Sequence, residues 1–200
     1  MTLIEGLFEI HVTVKGGEGV EKFKDVCKEL RLKPVLIELP YGQTQEQLMT
    51  SSWARGNEET AVEEAKKVAS ALHSRGFQVV RVKVEATASN RGVPQTPPDD
   101  PQRYFEFHVK MLVEDEERLR ALVAPHHGHL SRNSLKGEKD VKFITLRVYG
   151  KGKVAAFADL EALLLSLKDE KVLAVHREYA VYDTNVELDS GWIDRLRQSA

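Results

Sequence analysis

Residues 7–12 read Leu-Phe-Glu-Ile-His-Val, and residues 104–109 read Tyr-Phe-Glu-Phe-His-Val. Both segments contain the pattern Phe-Glu-x-His-Val, in which apolar side chains alternate with Glu and His. Alternation with a period of two residues is typical of a β-strand with one buried face. The repetition predicts that the chain is an internal duplication and that each half begins with the same strand.

A proline-rich segment separates the two copies. Residues 87–103 hold four of the seven prolines, at positions 94, 97, 98 and 101. Proline fixes φ and has no backbone N–H donor, so this segment is expected to be an extended linker. We therefore predict a first half at 1–86, the linker at 87–103, and a second half at 104–200.

The remaining patterns predict the order β-α-β-β-α-β on each side of the linker. In the first half we expect strands at 8–15, 34–39, 46–52 and 77–85, and helices at 20–30 and 58–75. In the second half we expect strands at 104–113, 127–134, 142–149 and 172–182, and helices at 114–123, 157–167 and 190–198. This order is the α+β ferredoxin-like arrangement. We expect a tandem duplication of that unit, with two antiparallel sheets whose polar faces meet in a shared cleft or barrel.

A ferredoxin-like unit covers one face of its sheet with helices, so the polar residues of each alternating strand lie on the other face. In the first half that face carries Glu9, His11, Thr13, Arg81, Lys83 and Glu85. In the second half it carries Glu106, His108, Lys110, Thr145, Arg147, Tyr149, His176, Glu178 and Tyr182. Each first strand therefore presents Glu-x-His, with basic residues on the neighbouring strands.

This pattern suggests chemistry on an anionic molecule. Residues two apart on a strand point the same way at about 6.6 Å, so a carboxylate can orient an imidazole for acid or base catalysis. The candidate catalytic residues are His11, His108, Glu9 and Glu106. The candidate substrate-binding residues, whose charges and hydroxyl groups suit phosphate, are Thr13, Arg81, Lys83, Lys110, Arg147, Ser131 and Arg132. A divalent metal is a candidate cofactor, with the potential ligands His127, His129, His176 and Glu178.

Two short stretches resemble known phosphate enzymes. Residues 10–14, Ile-His-Val-Thr-Val, resemble the apolar-His-x-Thr-apolar motif of the two-histidine phosphoesterases, which hold phosphate between two such motifs. The second copy has Lys110 where that family has its hydroxyl group. Residues 106–110, Glu-Phe-His-Val-Lys, are similar to the Glu-x-Glu-x-Lys strand of the triphosphate tunnel enzymes, with His108 in place of the second Glu. Each resemblance covers one strand and implies phosphate chemistry rather than membership of the family.

The composition excludes several classes. There are 29 basic and 31 acidic residues, for a net charge of −2, whereas nucleic-acid binders carry a basic excess. No apolar run is long enough to span a membrane. The lone Cys27 cannot form an internal disulfide, which favours the cytoplasm.

Three functions remain open from the sequence. The first is an enzyme acting on a small phosphate-containing or other anionic substrate between the two halves. The second is a non-catalytic module that binds or senses an anionic metabolite. The third is an assembly protein whose polar faces pair with a partner or with its own twin, which leaves a homo-oligomer open.

Overall fold

The computed structural model describes residues 3–17 and 19–193. Its strands are β1 (Glu5–Val14), β2 (Lys33–Glu38), β3 (Glu46–Asn57), β4 (Val79–Thr87), β5 (Tyr104–Leu112), β6 (His129–Asn133), β7 (Val141–Tyr149) and β8 (Lys171–Asp183). Its α-helices are α1 (Val20–Glu29), α2 (Glu58–His73), α3 (Glu116–Val123) and α4 (Lys153–Ser166). The predicted α+β fold, a ferredoxin-like unit in tandem duplication, is confirmed.

The eight strands form one closed antiparallel barrel in the order β1-β3-β2-β6-β7-β5-β8-β4. Two seams join the halves. At one seam β4 pairs with β8 over Lys83–Thr87, and at the other β2 pairs with β6 only at Ile37 and Glu38. The two sheets are thus continuous, and their polar faces line a common interior.

The strand registers place the polar residues side by side. Glu9 lies opposite Glu85 and His11 opposite Lys83 in the β1–β4 pair. In the second half, His108 lies between Thr145 of β7 and His176 of β8. The prediction from alternation is therefore correct for the first strands of both halves.

Tyr182 is an exception. It was expected on the polar face, but its side chain packs against the apolar core. The β4–β8 register shifts between Val84 and Glu85, because Val84 pairs with Tyr182 and Glu85 with Ala180. The extra residue in β8 is a bulge, which reverses the alternation beyond it and brings Asp183 to the polar side.

The apolar core lies outside the barrel, between its outer face and the helices. Phe8, Ile10 and Val12 of β1 are fully buried there. Asn57 caps helix α2: its side chain accepts a hydrogen bond of 2.9 Å from Thr60 N, and such a cap stabilises a helix by about 1 kcal/mol. In the second half, Phe107 packs edge-on against Phe157 of α4 with ring centroids 5.6 Å apart.

Residues 186–193 close one end of the barrel. A short 3-10 helix, Val186–Asp189, follows β8 and places the Asp189 side chain in the interior, where it is 2% exposed. The Trp192 indole then donates a hydrogen bond of 3.1 Å to the Leu130 carbonyl. We name residues 186–193 the plug. The predicted helix at 190–198 is wrong for 190–193, which form a turn, and 194–198 lie outside the described residues.

None of the described helices has both the length and the apolar character needed to cross a membrane.

Candidate functional site

The barrel encloses a cavity of about 260 Å³ that is lined by strands of both halves. The plug supplies Asp189 and Trp192 at one end of the cavity. Twelve of the predicted site residues line it: Glu9, His11, Thr13, Arg81, Lys83, Glu106, His108, Lys110, Ser131, Arg147, His176 and Glu178. The fold therefore brings most of the candidate residues into one place.

His11 is held by a neighbouring backbone group and faces two carboxylates. Its Nδ1 lies 3.2 Å from the Thr50 carbonyl oxygen, which can only accept a hydrogen bond. Its Nε2 lies 3.6 Å from both Glu9 Oε1 and Glu85 Oε2. The carbonyl thus fixes the proton on Nδ1 and turns Nε2 toward the carboxylates.

His108 repeats this arrangement at the equivalent position in the second half. Its Nδ1 lies 3.1 Å from Thr145 Oγ1. Its Nε2 lies 3.2 Å from Glu106 Oε1 and 3.6 Å from Glu178 Oε2. Each imidazole is thus flanked by the Glu two residues before it and by a Glu of the last strand of its own half.

The imidazoles are the accessible part of this cluster. The side chains of His11 and His108 are 20% and 28% exposed, whereas that of Glu85 is 1% exposed. A molecule entering the cavity therefore meets the two histidines before it meets most of the carboxylates.

The end closed by the plug contains a buried ion-pair network. Arg81 forms a bidentate pair with Asp183, with contacts of 2.9 and 2.6 Å, and a further hydrogen bond of 2.9 Å to Asp189 Oδ2. Arg147 donates to the same Asp189 oxygen at 2.8 Å and to Glu106 Oε2 at 2.6 Å. Asp189 thus bridges two guanidinium groups that come from different halves of the chain.

The pKa values of this network follow from its pairing. Burial alone would raise the pKa of Asp189, but Arg81 and Arg147 hold it at about 2. Burial alone would lower the pKa of Arg147, but Glu106 keeps it well above its usual value. Lys83 pairs with both Glu106 and Glu85. Arg81, Lys83 and Arg147 were predicted to neutralise the charge of a substrate. In the structure, each of the three forms ion pairs with carboxylates of the protein itself.

The middle of the cavity has a surplus of carboxylates. Burial, followed by the charges of Glu85 and Glu9, raises the pKa of Glu178 well above its usual value. Burial also acts to raise the pKa of Glu9, but His11, Ser51 and Glu178 together lower it. Ser51 contributes through a hydrogen bond of 2.7 Å from its hydroxyl group to Glu9 Oε1.

The other end of the cavity is cationic. Lys33 and Lys136 line the cavity and are exposed, and within the described part of the chain neither forms an ion pair. Burial, then His108, lower the pKa of His176, and the nearby Lys136 and Lys33 add to this effect. Lys110 also lies at this end and pairs with Glu138 at 3.1 Å. Lys33 and Lys136 are therefore the cations of the cavity that can meet an anionic ligand without first leaving a carboxylate.

Three predicted site residues lie elsewhere. Arg132 points outward and forms an ion pair with Glu38. His127 is exposed and ends a 3-10 turn with φ of 55°. His129 stacks edge-on against Trp192 at 5.8 Å. The predicted metal set is therefore divided, and only His176 and Glu178 of that set line the cavity.

Sequence reasoning did not select several residues of the site. Glu85 was predicted to lie on the polar face but was not selected as a site residue. Its position in β4 corresponds to that of Glu178 in β8, since Glu85 pairs with Glu9 as Glu178 pairs with Glu106. Lys33 lies at the beginning of a short strand, and Lys136 and Asp189 end short 3-10 helices, where no periodic pattern indicates a direction. Tyr104 donates a hydrogen bond of 2.6 Å to Asp183 from the first position of β5.

Comparisons with known proteins add little to this geometry. No family model matches the chain, and no curated protein sequence matches it. Among solved structures, the acetolactate synthase small subunit from Thermotoga maritima is similar, at 17% identity and a TM-score of 0.30. The match covers 89% of this chain and 96% of that chain. At that TM-score the likeness carries no conclusion about the ligand or the activity of this protein.

Proposed function

We propose that the protein binds a small phosphate-containing or other anionic molecule in the cavity, with His11 and His108 as its acid and base groups. One observation carries this proposal: two equivalent imidazoles, fixed at Nδ1, face the same cavity from opposite halves. Each Nε2 faces the cavity and can exchange a proton with a bound molecule. The expected activity is hydrolysis or rearrangement of a phosphate ester.

The lysines at the cationic end support an anionic ligand. Lys33 and Lys136 are exposed and line the cavity, so their ammonium groups can exchange water for phosphate oxygens without losing an existing partner. The buried cations cannot do so, because each would have to leave a carboxylate. Entry is therefore expected from the end that carries the lysines.

Ligand binding is tested by thermal shift in the presence of EDTA, with inorganic phosphate, pyrophosphate, nucleotides and sugar phosphates as probes. A ligand at about 100 times its Kd stabilises the folded state by about 2.7 kcal/mol, which corresponds to roughly 5–10 °C in Tm for a chain of this size. The double variant Lys33→Ala/Lys136→Ala is expected to lose most of the shift. Lys66→Ala/Lys168→Ala, which removes two exposed lysines elsewhere, should keep it. An absence of any shift, or an equal loss in both double variants, would contradict the proposal.

Catalysis is tested separately with a panel of phosphoesters. His108→Ala is expected to lower turnover by about 10²–10⁴-fold, the usual contribution of a general acid or base. His73→Ala, which removes an exposed histidine at the end of α2, should leave turnover unchanged. Binding without turnover of any phosphoester would reject the catalytic role and leave ligand binding in place.

The second candidate is a non-catalytic module that binds or senses an anionic metabolite. It is favoured by the ion pairs that already surround the cavity, since a pre-formed and buried network suits binding without chemical change. An assembly protein was expected to pair its polar faces with a partner or with a second copy of itself. In the closed barrel these two faces line the same interior, so neither is exposed for such pairing. The cytoplasm stays the expected compartment.

A further inference from the structure

Glu85 is a buried carboxylate without a satisfactory hydrogen bond. Its side chain is 1% exposed, and neither of its oxygens accepts a hydrogen bond of acceptable geometry. Lys83 Nζ lies 2.8 Å from Oε1 in an ion pair, but the same ammonium group also pairs with Glu106. A buried carboxylate in this state has a large desolvation cost that a further cation would offset.

Two more ligand atoms lie close to Glu85. Glu85, His108 and Glu178 each offer one ligand atom, and these three atoms lie within 4.8 Å of one another. Atoms that bind a common divalent metal at about 2.1 Å are about 3–4 Å apart. The three groups therefore need only small side-chain movements to share one ion. Glu85 and Glu178 occupy corresponding positions in β4 and β8, so the duplication itself creates the pair of carboxylates.

The hydrogen bonding of His108 prepares its Nε2 as a ligand. Nδ1 lies 3.1 Å from Thr145 Oγ1, and when Nδ1 donates to this hydroxyl group the lone pair lies on Nε2, where a metal can bind. In the neutral imidazole that lone pair faces Glu106 and Glu178, at 3.2 and 3.6 Å. Either a proton on Nε2 or a metal ion bound there would satisfy these two carboxylates.

We propose that Glu85, His108 and Glu178 form a binding site for one divalent transition-metal ion, Mn²⁺ or Zn²⁺. Carboxylates suit Mn²⁺ and an imidazole suits Zn²⁺, so a mixed set of two carboxylates and one imidazole accommodates either ion. Lys83 keeps Glu106 as its partner when Glu85 turns to the metal.

The role of the ion deepens the proposed function and rests on it. The carboxylates in the middle of the cavity weaken the binding of an anion at the lysines, whereas a divalent cation at the same place strengthens it. An ion held by three side chains also keeps coordination positions open for phosphate oxygens. With the ion bound, His108 Nε2 would serve as a ligand and proton transfer would fall to His11, so the metal would bring an anion entering past Lys33 and Lys136 to His11.

The test is calorimetric titration of EDTA-treated and dialysed full-length protein with MnCl₂ or ZnSO₄ alone, with MgCl₂ as a comparison. We expect one ion per chain for Mn²⁺ or Zn²⁺, weaker binding of Mg²⁺, and a metal-dependent rise in Tm. Glu85→Gln is expected to weaken binding at least about tenfold. Glu138→Gln, which alters an exposed carboxylate near the cavity, should bind like the wild type.

Melting curves without metal show whether Glu85→Gln is folded. His108→Ala serves as the second variant. Because the His108 side chain is more exposed than that of Glu85, its removal is expected to cost less folding stability. The metal proposal is overturned if the wild type binds neither ion, or if a folded Glu85→Gln or His108→Ala variant binds as tightly as the wild type. Metal binding without any anion-dependent shift would overturn the proposed function alone. An anion-dependent shift in EDTA without metal binding would overturn the metal site alone.

Discussion

Replacement of Asp189 by alanine is expected to destabilise the fold by about 3–5 kcal/mol, the usual cost of removing one partner from a buried ion pair. Asp189 Oδ2 accepts hydrogen bonds from Arg81 and Arg147, and Oδ1 accepts one of 2.8 Å from Gln47. Without the Asp189 carboxylate, the two buried guanidinium groups each lose one negative partner, and the repulsion between their positive charges is less well balanced. For a chain of this size, we expect Tm to fall by roughly 6–20 °C.

The measurement is thermal unfolding followed by circular dichroism at neutral pH. Asp189→Asn keeps one acceptor oxygen and should fall between the wild type and Asp189→Ala. Asp159→Asn is the matched control, because Asp159 forms an exposed pair with Lys151 and such pairs contribute little. Equal melting temperatures for Asp189→Ala and Asp159→Asn would show that the plug does not stabilise the barrel.

Acid is expected to unfold the protein between about pH 4.5 and pH 2. Burial acts to raise the pKa values of Glu106, Asp183 and Asp189, but buried cations lower all three. The pKa of Asp189 is lowered to about 2. A carboxyl group whose pKa is lower in the folded protein stabilises the fold above its unfolded pKa, and protonation removes that stabilisation as the pH falls. Asp189 alone contributes roughly 2 kcal/mol in this way, because each tenfold change in an acid dissociation constant corresponds to about 1.4 kcal/mol.

The pH dependence is checked by denaturant unfolding at about pH 7, 4 and 2.5. In this range the wild type is expected to lose stability steeply, because the unfolded state binds more protons than the folded state. Asp189→Asn should be less stable at pH 7 but show a shallower loss on acidification, since it has one fewer linked carboxyl group. Identical pH slopes for the wild type and the variant would rule out a stabilising role for the ionised Asp189.

The parts of the site that were predictable from sequence lie on strands with unbroken alternation. In β1 and β5 every second residue is apolar, so Glu9, His11, Glu106 and His108 could be assigned to one face. In β8 both alternate sets are mixed, and a bulge turns Tyr182 to the side that packs against the core. A local pattern determines the direction of a side chain only while the register is regular.

The pairing of charges was not predictable, because it depends on contacts between distant segments. Arg81 and Asp189 are 108 positions apart in the chain, and nothing in the short segment that carries Asp189 indicates that this side chain enters the barrel. The histidines at 127 and 129 show the reverse error. They are neighbours in sequence, yet one is exposed at a turn and the other stacks on Trp192.

The closed order of the strands has a consequence for synthesis on the ribosome. In the first half, β2 and β4 are outer strands whose neighbours β6 and β8 belong to the second half. Until those strands have been made, the nascent first half exposes two unpaired backbone edges, the kind of surface at which chains aggregate. At that stage Arg81 also lacks Asp183 and Asp189. The nascent chain is therefore most in need of chaperone protection between the synthesis of β4 and that of β8.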